Sequence, residues 1–544
     1  MTTSANPYDL TPYQSFAYPE THPNRLAVLA SLFGRSPAPL AGCRVLEIGC
    51  AGGGNLLPIA AALPQAQFVG LDYSQVQIDA ATHAAQALGL TNIRFVCEDM
   101  RSVDATSLGE FDYVIAHGIY SWLPADAQAA MLTLCRDCLA EAGVAYVSYN
   151  TLPGWHMRGM VRDLMLFHAA SFGDGPPDVA QAKALLELMA THVPEENNPY
   201  GQYLRSELKM LSGMNASYLA HDHLEKHNEP LYFRDFIARA QGADLDYLGE
   251  AEFFTMLGSD LAAGAKSQLS AEITDIVRLE QYFDFMRNRS FRQTLLVRRG
   301  SALDRDVGAG RVKRLWVSAS LTPAVPLSAV EVIGQTAVAT PALLGRDTVQ
   351  FAASNGHSVQ TGNPVTKAAL LVLAEVFPGA LAFDALLVAA RGRLSAQHRK
   401  TVPLAQDETS LGNDIVIGYG GAGLVQLHAA AMQAASARVV CAASVALHTP
   451  AYARWQAGFS ANLTNLNHAT VRIDEPSRHV LLLLDGSLDR AGLHAAFYQL
   501  IVAGTLLLQE EGKAYVPAPD APVVGQALEA ILNTLAANAL ICAP

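Results

Sequence analysis

The sequence predicts an α/β protein whose first domain is a doubly wound parallel sheet. Five apolar runs are typical of strands, at residues 44–48, 68–71, 93–97, 113–116 and 144–149. Helix-like runs lie between them, at residues 55–63, 76–88 and 125–141. Alternation of strands and helices with short connections indicates a parallel sheet covered by helices on both faces. A glycine-rich turn directly after the first strand adds a ligand-binding loop to this frame.

Length and charge limit the function. A chain of 544 residues is expected to hold several domains. The net charge of −13 argues against a nucleic-acid partner, because phosphate binding requires an excess of Lys and Arg. The N-terminal residues do not resemble a signal peptide, and seven cysteines in so long a chain are typical of a reducing compartment. These features predict a cytoplasmic protein.

The most apolar stretch, residues 368–390, is interrupted by Glu375, Pro378 and Asp384. A membrane-spanning helix needs about 20 mainly apolar residues in succession. The interruptions therefore predict two core helices and no membrane insertion.

Acidic residues end the first three predicted strands or follow them closely. Glu47 precedes the turn Gly49–Gly54, and Asp72 lies 18 residues after Gly54, where a carboxylate can accept hydrogen bonds from both ribose hydroxyls. Glu98, Asp99 and Met100 follow the third strand. Asp99 is placed to accept a hydrogen bond from an adenine amine, and Met100 to pack on the adenine ring.

Two cofactors compete for this arrangement. A nicotinamide dinucleotide normally requires G-x-G-x-x-G, which Gly49-Cys50-Ala51-Gly52-Gly53-Gly54 does not match. Glu47 would also direct a negative charge at the diphosphate. S-adenosylmethionine, with a cationic amino-acid end and an adenosine end, fits better. The predicted cofactor contacts are Glu47, Gly49, Cys50, Ala51, Gly52, Asn55, Asp72, Tyr73, Gln77, Glu98, Asp99, Met100, His117 and Gly118.

With these motifs in order, residues 44–150 resemble the class I S-adenosylmethionine-dependent methyltransferases. This chain differs at Ala51, where the loop of that family usually has its middle glycine. The family resemblance implies a Rossmann-like fold and S-adenosyl-L-homocysteine as the product.

A narrower resemblance extends over more of the chain. The segments that carry it are Tyr8-Asp9-x-x-Pro12-Tyr13-x-Ser15, Thr21-His22-Pro23, 117–122, 150–158 and 218–222. They are similar to a bacterial subfamily with a methyltransferase regulatory domain, here at about residues 218–300. That subfamily includes enzymes that methylate lysines of outer-membrane proteins. The resemblance implies a protein substrate, a cell-envelope protein among the candidates, and favours a homodimer.

The remaining segments predict helical insertions and further domains. We divide the chain into an arm over the active site (1–35), the cofactor-binding core (36–150), a helical insertion (151–229), the last helix and strands of the core with a second helical insertion at 262–289 (230–300), a middle domain (301–430) and a C-terminal domain (431–544). We expect residues 291–298 to complete the first sheet. The middle domain has a winged-helix-like order of elements, which occurs in DNA-binding and protein-binding modules; the acidic balance favours protein contacts. Residues 472–485 fit a buried strand or a short helix.

Methyl transfer from a sulfonium is an in-line displacement, so the protein must orient the acceptor and exclude water. A lysine acceptor must also lose a proton, and apolar surroundings lower its pKa. The predicted catalytic residues are Tyr18, His117, Tyr120, Trp122, Asn150 and Trp155. Tyr13 is a further candidate for the wall of the slot, and His22 and His117 are the candidate general bases.

Two groups of potential metal ligands lack the sequence pattern of a metal site. Cys135 and Cys138 lie in a helical run without a second pair, and His223 and His227 lack the H-E-x-x-H pattern. We predict no metal site. Two rivals to protein lysine methylation stay open: a small-molecule or lipid methyltransferase, and a regulatory protein that binds S-adenosylmethionine without turnover.

Overall fold

A computed structural model describes most of the chain. The described residues are 9, 13, 15–170, 179–213, 223–225, 227–258, 260–261, 264–324, 330–333, 336–339, 344–353, 356–421, 423–432, 434–436, 440, 446–510 and 513–542. Tyr8, Pro12 and the segment 218–222, which contributed to the subfamily resemblance, lie outside this set.

A seven-stranded sheet forms the centre of the N-terminal half. Its strands are β1 (Arg44–Ile48), β2 (Gln67–Asp72), β3 (Ile93–Cys97), β4 (Phe111–Ala116), β5 (Leu139–Asn150), β6 (Leu245–Glu250) and β7 (Phe291–Arg298). Their spatial order is β3-β2-β1-β4-β5-β7-β6, and β7 runs antiparallel to both neighbours. The doubly wound α/β fold is confirmed, and residues 291–298 complete the first sheet as predicted.

Helices cover both faces of this sheet. In chain order the first five are α1 (Pro23–Leu32), α2 (Leu56–Ala62), α3 (Gln75–Ala87), α4 (Ala105–Leu108) and α5 (Ala125–Cys138). Consecutive strand residues point to opposite faces, so Val45 belongs to one hydrophobic core and Leu46 to the other. Neither side chain is exposed.

The boundary between α5 and β5 differs from the prediction. Residues 139–141 were expected to end the helix, but the strand begins at Leu139. Leu139 pairs with Phe111, and its carbonyl accepts a hydrogen bond from Nε of Arg298 at 2.7 Å. Pairing with β4 and the side-chain hydrogen bond from Arg298 outweigh the helix-forming tendency of Ala140, Glu141 and Ala142.

Helices dominate the segment between β5 and β6. They are α6 (Gly154–Ala170), α7 (Val179–His192), α8 (Pro199–Ser212) and α9 (Phe233–Gly242). The first three share a small core of their own around Val161, Leu186 and Leu204. The helical character predicted for residues 151–229 is present in the described part of that segment.

Three more helices, α10 (Phe253–Leu257), α11 (Ala265–Glu272) and α12 (Ile276–Arg287), connect β6 to β7. A fully buried ionic network joins α12 to the two strands. Nη1 of Arg292 lies 2.6 Å from Oε1 of Glu250, and Nε lies 2.9 Å from Oδ2 of Asp284. Glu280 contributes a third carboxylate, 3.2 Å from Nη2 of the same arginine.

The middle region consists of short strands around a group of helices. Its elements are β8 (Trp316–Ser318), β9 (Thr322–Pro323), β10 (Val330–Ile333), β11 (Thr336–Ala339), β12 (Val349–Ala352), β13 (Ser358–Thr361), α13 (Pro364–Val376), β14 (Leu381–Ala382), α14 (Phe383–Arg393), α15 (Ala396–Thr401), α16 (Leu404–Gly420) and β15 (Gln426–His428). Residues 368–390 form two helices, as predicted. The strand β8 begins only at Trp316, because residues 309–314 form a 3-10 turn in which the N–H of Leu315 donates to the carbonyl of Val312.

The C-terminal region has a separate core and packs against the first domain. Its elements are α17 (Ala451–Ala457), β16 (Asn462–Thr464), β17 (Thr470–Arg472), α18 (Glu475–Leu483), α19 (Arg490–Val502), β18 (Leu508–Glu510), β19 (Lys513–Tyr515) and α20 (Pro522–Ala537). Residues 475–483 are therefore helical, which decides between the two structures that the sequence allowed. Tyr452 on α17 packs against Leu57 on α2. In the described part of the chain, no helix combines the length and the apolar character needed to cross a membrane.

Candidate active site

The loop between β1 and α2 takes the tight conformation that its glycines predict. Gly49 has φ +76° and Gly53 has φ +75°. Ala51 also has a positive φ, of +45°, and its N–H donates to Oδ2 of Asp72 at 2.8 Å. The substitution that distinguishes this loop from the family pattern therefore keeps the turn, with an alanine in a region that costs an L-residue about 1–2 kcal/mol.

Glu47 is a buried carboxylate without a cationic partner among the described residues. Its side chain is 3% exposed, and Oε1 accepts a hydrogen bond from Nδ2 of Asn55 at 2.7 Å. Oε2 has no hydrogen-bond partner in the described part of the chain. Burial raises the pKa of Glu47 to about 8, although the bond from Asn55 opposes this shift. A ligand with an ammonium group would supply the charge and the donor that this site lacks.

Asp72 ends β2 and supports the same loop. Its two oxygens accept hydrogen bonds from the N–H groups of Ala51 and Ser74 at 2.8 and 2.9 Å. Burial nevertheless raises its pKa. Each carboxylate oxygen can accept a second hydrogen bond. The remaining capacity suits a pair of vicinal hydroxyls, as in a ribose.

The predicted adenine end of the site contains an ion pair that sequence analysis missed. Asp99 lies 2.5 Å from Nη2 of Arg101, and this hydrogen bond lowers the pKa of Asp99. Arg101 also bridges to Asp126 at 3.0 Å. Glu98 is exposed, and Met100 packs at the edge of the second core. An adenine amine at Asp99 would share the carboxylate with Arg101.

Tyr73 and Gln77 follow β2 with different environments. Tyr73 is 60% exposed, whereas Gln77 is buried and its Nε2 donates to the carbonyl of Tyr13 at 3.0 Å. Cys50 and Gly52 lie within the loop itself; Cys50 is 2% exposed, and a side chain at Gly52 would meet Gln77.

The N-terminal arm lies against the cofactor loop. The N–H of Gly54 donates to Oγ of Ser15 at 2.7 Å, and the N–H of Tyr18 donates to Oδ1 of Asn55 at 3.0 Å. A Cβ at Gly54 would lie 2.6 Å from the carbonyl oxygen of Ser15, so only glycine permits this approach. Asp9 reaches the ribose end, where its Oδ1 accepts from Oγ of Ser74 at 2.5 Å.

His117, at the end of β4, lies in an aromatic cluster. Its ring is 3.8 Å from that of Tyr18 and 6.2 Å from that of Phe291, measured between centroids. Nδ1 of His117 is 2.9 Å from the hydroxyl of Tyr146. Burial lowers the pKa of His117 to about 3, so the imidazole is neutral at neutral pH. The next residue, Gly118, donates its N–H to Oγ of Ser148.

Neither candidate base is suited to take a proton from an ammonium group. A conjugate acid with a pKa near 3, at His117, holds a proton too weakly at neutral pH. Burial lowers the pKa of His22 to about 4, and its Nδ1 accepts from the N–H of Asn24 at the start of α1. His22 therefore caps a helix and faces the C-terminal region, where its ring lies 5.3 Å from that of His468.

The other predicted catalytic residues separate into core and edge positions. Tyr120 is not exposed and packs edge to face against the stacked rings of Tyr149 and Phe236, so the structure places it in the core, and its role in catalysis stays a prediction. Trp122 and Trp155 meet edge to face, with centroids 6.4 Å apart. Asn150 ends β5, and its Nδ2 donates to Oδ1 of Asn228 at 3.0 Å.

Sequence analysis missed Phe291, Tyr146 and Asn228. Phe291 was recognisable in one respect: it starts the strand that was predicted to complete the first sheet. His221 and Asp222 lie outside the described residues, and His223 is 4% exposed. No group of three or more potential metal ligands occurs in the described part of the chain.

Comparison with known proteins agrees with this geometry. A family model described as "Methyltransferase domain" matches residues 45–143, and "Predicted methyltransferase regulatory domain" matches residues 215–298. The protein RP789 of Rickettsia prowazekii is 32% identical over 514 residues, which cover 93% of this chain and 88% of that protein. This chain belongs to the S-adenosylmethionine-dependent methyltransferases that carry a methyltransferase regulatory domain. A second protein of that organism, RP028, is 36% identical over 234 residues, or 43% of this chain and 93% of that protein.

A solved structure resembles almost the whole methyltransferase. PKMT2 from Rickettsia typhi has a TM-score of 0.83 and 27% identity, covering 97% of this chain and 100% of that one. The same protein in complex with AdoHcy gives a TM-score of 0.82 and 28% identity. The predicted cofactor, S-adenosylmethionine, and the predicted enzyme class are confirmed.

The winged-helix unit of the C-terminal half is located by a third family model. "PKMT, C-terminal winged helix domain" matches residues 448–540. This segment lies after the middle region in which sequence analysis placed a winged-helix-like unit. The presence of such a unit in the C-terminal part is confirmed; its assignment to residues 301–430 and the domain boundaries stay predictions.

Proposed function

We propose that the methyltransferase transfers the methyl group of S-adenosylmethionine to the side-chain amine of a lysine in a protein. The aromatic cluster of Tyr18, His117 and Phe291 beside the cofactor loop carries this proposal. Its rings can pack against the four-carbon stem of a lysine. The likeness to PKMT2 and the match to the PKMT winged-helix domain support the same acceptor.

The cluster also suits an amine that must be neutral when it reacts. A free lysine has a pKa of about 10.4, and transfer into apolar surroundings lowers this value. His117 is neutral and therefore neither stabilises nor repels the amine by charge. With both histidines unsuited as bases, we expect the proton to leave to solvent before the amine is enclosed.

Bound S-adenosylmethionine supplies an activated methyl group on its sulfonium. In the proposed complex, Glu47 holds the amino group, because Oε2 is buried and lacks a partner among the described residues. Asp72 binds the ribose, and Asp99 with Met100 binds the adenine. The arm residues Ser15 and Tyr18 keep water away from the loop that they touch.

We also propose a cell-envelope protein as substrate, a homodimer as the assembly and the cytoplasm as the location. The subfamily resemblance supports the first two. The surface of α12 supports the second, because Tyr282, Phe285 and Met286 are 42%, 52% and 49% exposed. Contiguous exposed apolar side chains are typical of protein contacts.

Incubation with methyl-labelled S-adenosylmethionine and a cell-envelope extract tests the acceptor. We expect label in protein bands and methyl-lysine after acid hydrolysis. Label in small molecules or lipids alone would contradict the lysine proposal while leaving the methyltransferase activity intact.

Two variants separate cofactor binding from turnover. Asp72→Ala should abolish measurable binding of S-adenosylhomocysteine, because the loop loses the acceptor that holds Ala51. Trp122→Ala should keep binding and lower kcat, since Trp122 packs on Trp155 at the predicted slot. Asp79→Ala, at an exposed carboxylate on α3, is the control for the first variant and should bind normally. Unchanged affinity in Asp72→Ala would remove the basis of the site assignment.

A further inference from the structure

The C-terminal region reaches the cofactor loop through one hairpin turn. Residues 465–469 connect β16 to β17, and His468 at this turn is 2% exposed with φ +59°. Its Nε2 lies 2.8 Å from Oδ1 of Asn55, the residue that precedes α2. The two residues are 413 positions apart in the chain.

The side chain of Asn55 has five polar contacts with four residues; one of them places Oγ1 of Thr21 3.1 Å from Oδ1. Nδ2 donates to Oε1 of Glu47 at 2.7 Å and to Oγ1 of Thr21 at 2.9 Å. Oδ1 accepts from the N–H of Tyr18 at 3.0 Å, and the ring of His468 completes the set. Because a backbone N–H can only donate, the oxygen of the amide must face Tyr18. His468 must then be the donor.

The ring of His468 is therefore held as the neutral tautomer with the proton on Nε2. Burial lowers the pKa of His468 well below its ordinary value. The turn is rigid, because Oδ1 of Asn465 accepts from the N–H groups of Asn467 and Ala469 at 3.0 and 2.9 Å. Nδ2 of Asn465 is bound to the carbonyl of Asn538.

We infer that His468 is a positioning residue of the cofactor site, contributed by the C-terminal winged-helix region and acting on Glu47 through Asn55. The donor on His468 adds to the N–H of Tyr18 in fixing which way the amide of Asn55 points, and the amide in turn presents its N–H to Glu47. Glu47 is thereby oriented with Oε2 available for the amino group of the cofactor. This inference rests on the cofactor assignment and is independent of the methyl acceptor.

Replacement of the ring tests the inference through affinity for S-adenosylhomocysteine, measured by calorimetry on the full chain. His468→Phe keeps the ring and removes the donor, and should weaken binding about three- to tenfold. His468→Gln places an amide donor near the position of Nε2 and should restore affinity to within about twofold. Thr470→Ala, at an exposed position of the same hairpin, is the matched control and should bind as the wild type does.

The kinetic readout distinguishes positioning from loss of structure. His468→Phe should raise KM for S-adenosylmethionine with little change in kcat, and should add nothing to the loss caused by Asn55→Ala, because both act on one path. If His468→Phe fails to fold, His468→Asn serves instead: asparagine tolerates the left-handed φ and is too short to reach Asn55.

Normal affinity in a folded donor-free variant, or a loss that is additive with Asn55→Ala, would overturn the inference. Glu47→Gln keeps the two questions apart. If Glu47→Gln binds normally, the assignment of Glu47 to the amino group of the cofactor fails; if Glu47→Gln binds weakly while His468→Phe binds normally, only the role of His468 fails.

Discussion

Glu47 and Glu250 are two glutamates of one sheet, both buried and with opposite electrostatics. Glu47, on β1, is 3% exposed, and burial raises its pKa to about 8. Glu250, on β6, is not exposed; burial alone would raise its pKa, but Arg292 and Arg289 bring it below the ordinary value. The protein supplies the countercharge at Glu250. At Glu47 no described residue supplies it, and in the proposed complex the amino group of the cofactor does so.

The network at Glu250 should be the most sensitive to substitution. Arg292→Met removes the cation that bridges Glu250 and Asp284, leaves only Arg289 beside them, and should lower the free energy of unfolding by about 3–5 kcal/mol. Urea unfolding, with hydrogen exchange of the β6 and β7 amides, measures the loss. Arg278→Ala, at an exposed arginine of α12, should leave stability unchanged. Equal stability of the two variants would show that the ion-pair network does not stabilise the fold.

Glu47 should instead matter for binding. Glu47→Gln removes the charge that faces the amino group of the ligand and should weaken affinity for S-adenosylhomocysteine roughly 10- to 100-fold. Folding should be preserved, because the amide still suits the buried site. Glu110→Gln, an exposed position just before β4, should bind normally. Destabilisation of Glu47→Gln comparable to that of Arg292→Met would remove the distinction between the two sites.

The raised pKa of Glu47 predicts a pH dependence with a definite sign. Below about pH 8 the free protein holds a proton on Glu47, and ligand binding must release it. Affinity should therefore rise with pH, by up to about tenfold per unit below this pKa. Calorimetry in buffers of different ionisation enthalpy should detect the released proton. Glu47→Gln should remove this dependence, and its persistence would assign the titration to another group.

Protonation of Glu47 should also make the stability of the ligand-free protein depend on pH, but with the opposite sign: stability should fall as pH rises. Between the unfolded pKa near 4.5 and the folded value near 8, the native state binds one more proton at Glu47 than the unfolded state. Its contribution to the free energy of unfolding thus falls as pH rises. Glu47→Gln should gain on the wild type across this range, measured by thermal shift without ligand. A constant difference between the two proteins would contradict the assignment.

The smallest expected effect concerns the backbone strain at Ala51, in the loop that follows Glu47. Ala51→Gly relieves the positive φ and should stabilise the protein by about 0.5–1 kcal/mol after the entropy of the added glycine. Ala80→Gly, at an exposed site within α3, should do the reverse, by about 1 kcal/mol. Urea unfolding compares them. A destabilised Ala51→Gly would mean that the methyl group has packing contacts that outweigh the strain.

The sequence alone determined the fold of the first domain and the cofactor. Strand periodicity and turn chemistry are local properties, and the acids Glu47, Asp72 and Asp99 follow strands whose carboxyl ends must meet at one edge. Local patterns also predicted the helical insertion at residues 262–289 and the strand at residues 291–298. The resemblance of residues 44–150 to the class I methyltransferases added the enzyme class, which the comparisons confirmed.

Only the tertiary structure decided which side chains face the site. Tyr120 and Trp122 are two residues apart, yet Tyr120 is in the core, because the 3-10 turn at residues 120–122 directs its ring against the stacked pair of Tyr149 and Phe236. Arg101 occupies the carboxylate of Asp99, and His468 reaches Asn55 from the far end of the chain. The contact between His468 and Asn55, 413 positions apart, leaves no periodic signal, because it depends on how the C-terminal region packs on the first domain. The difference between Glu47 and Glu250 depends on the fold of the first domain, which places Arg289 and Arg292 beside Glu250.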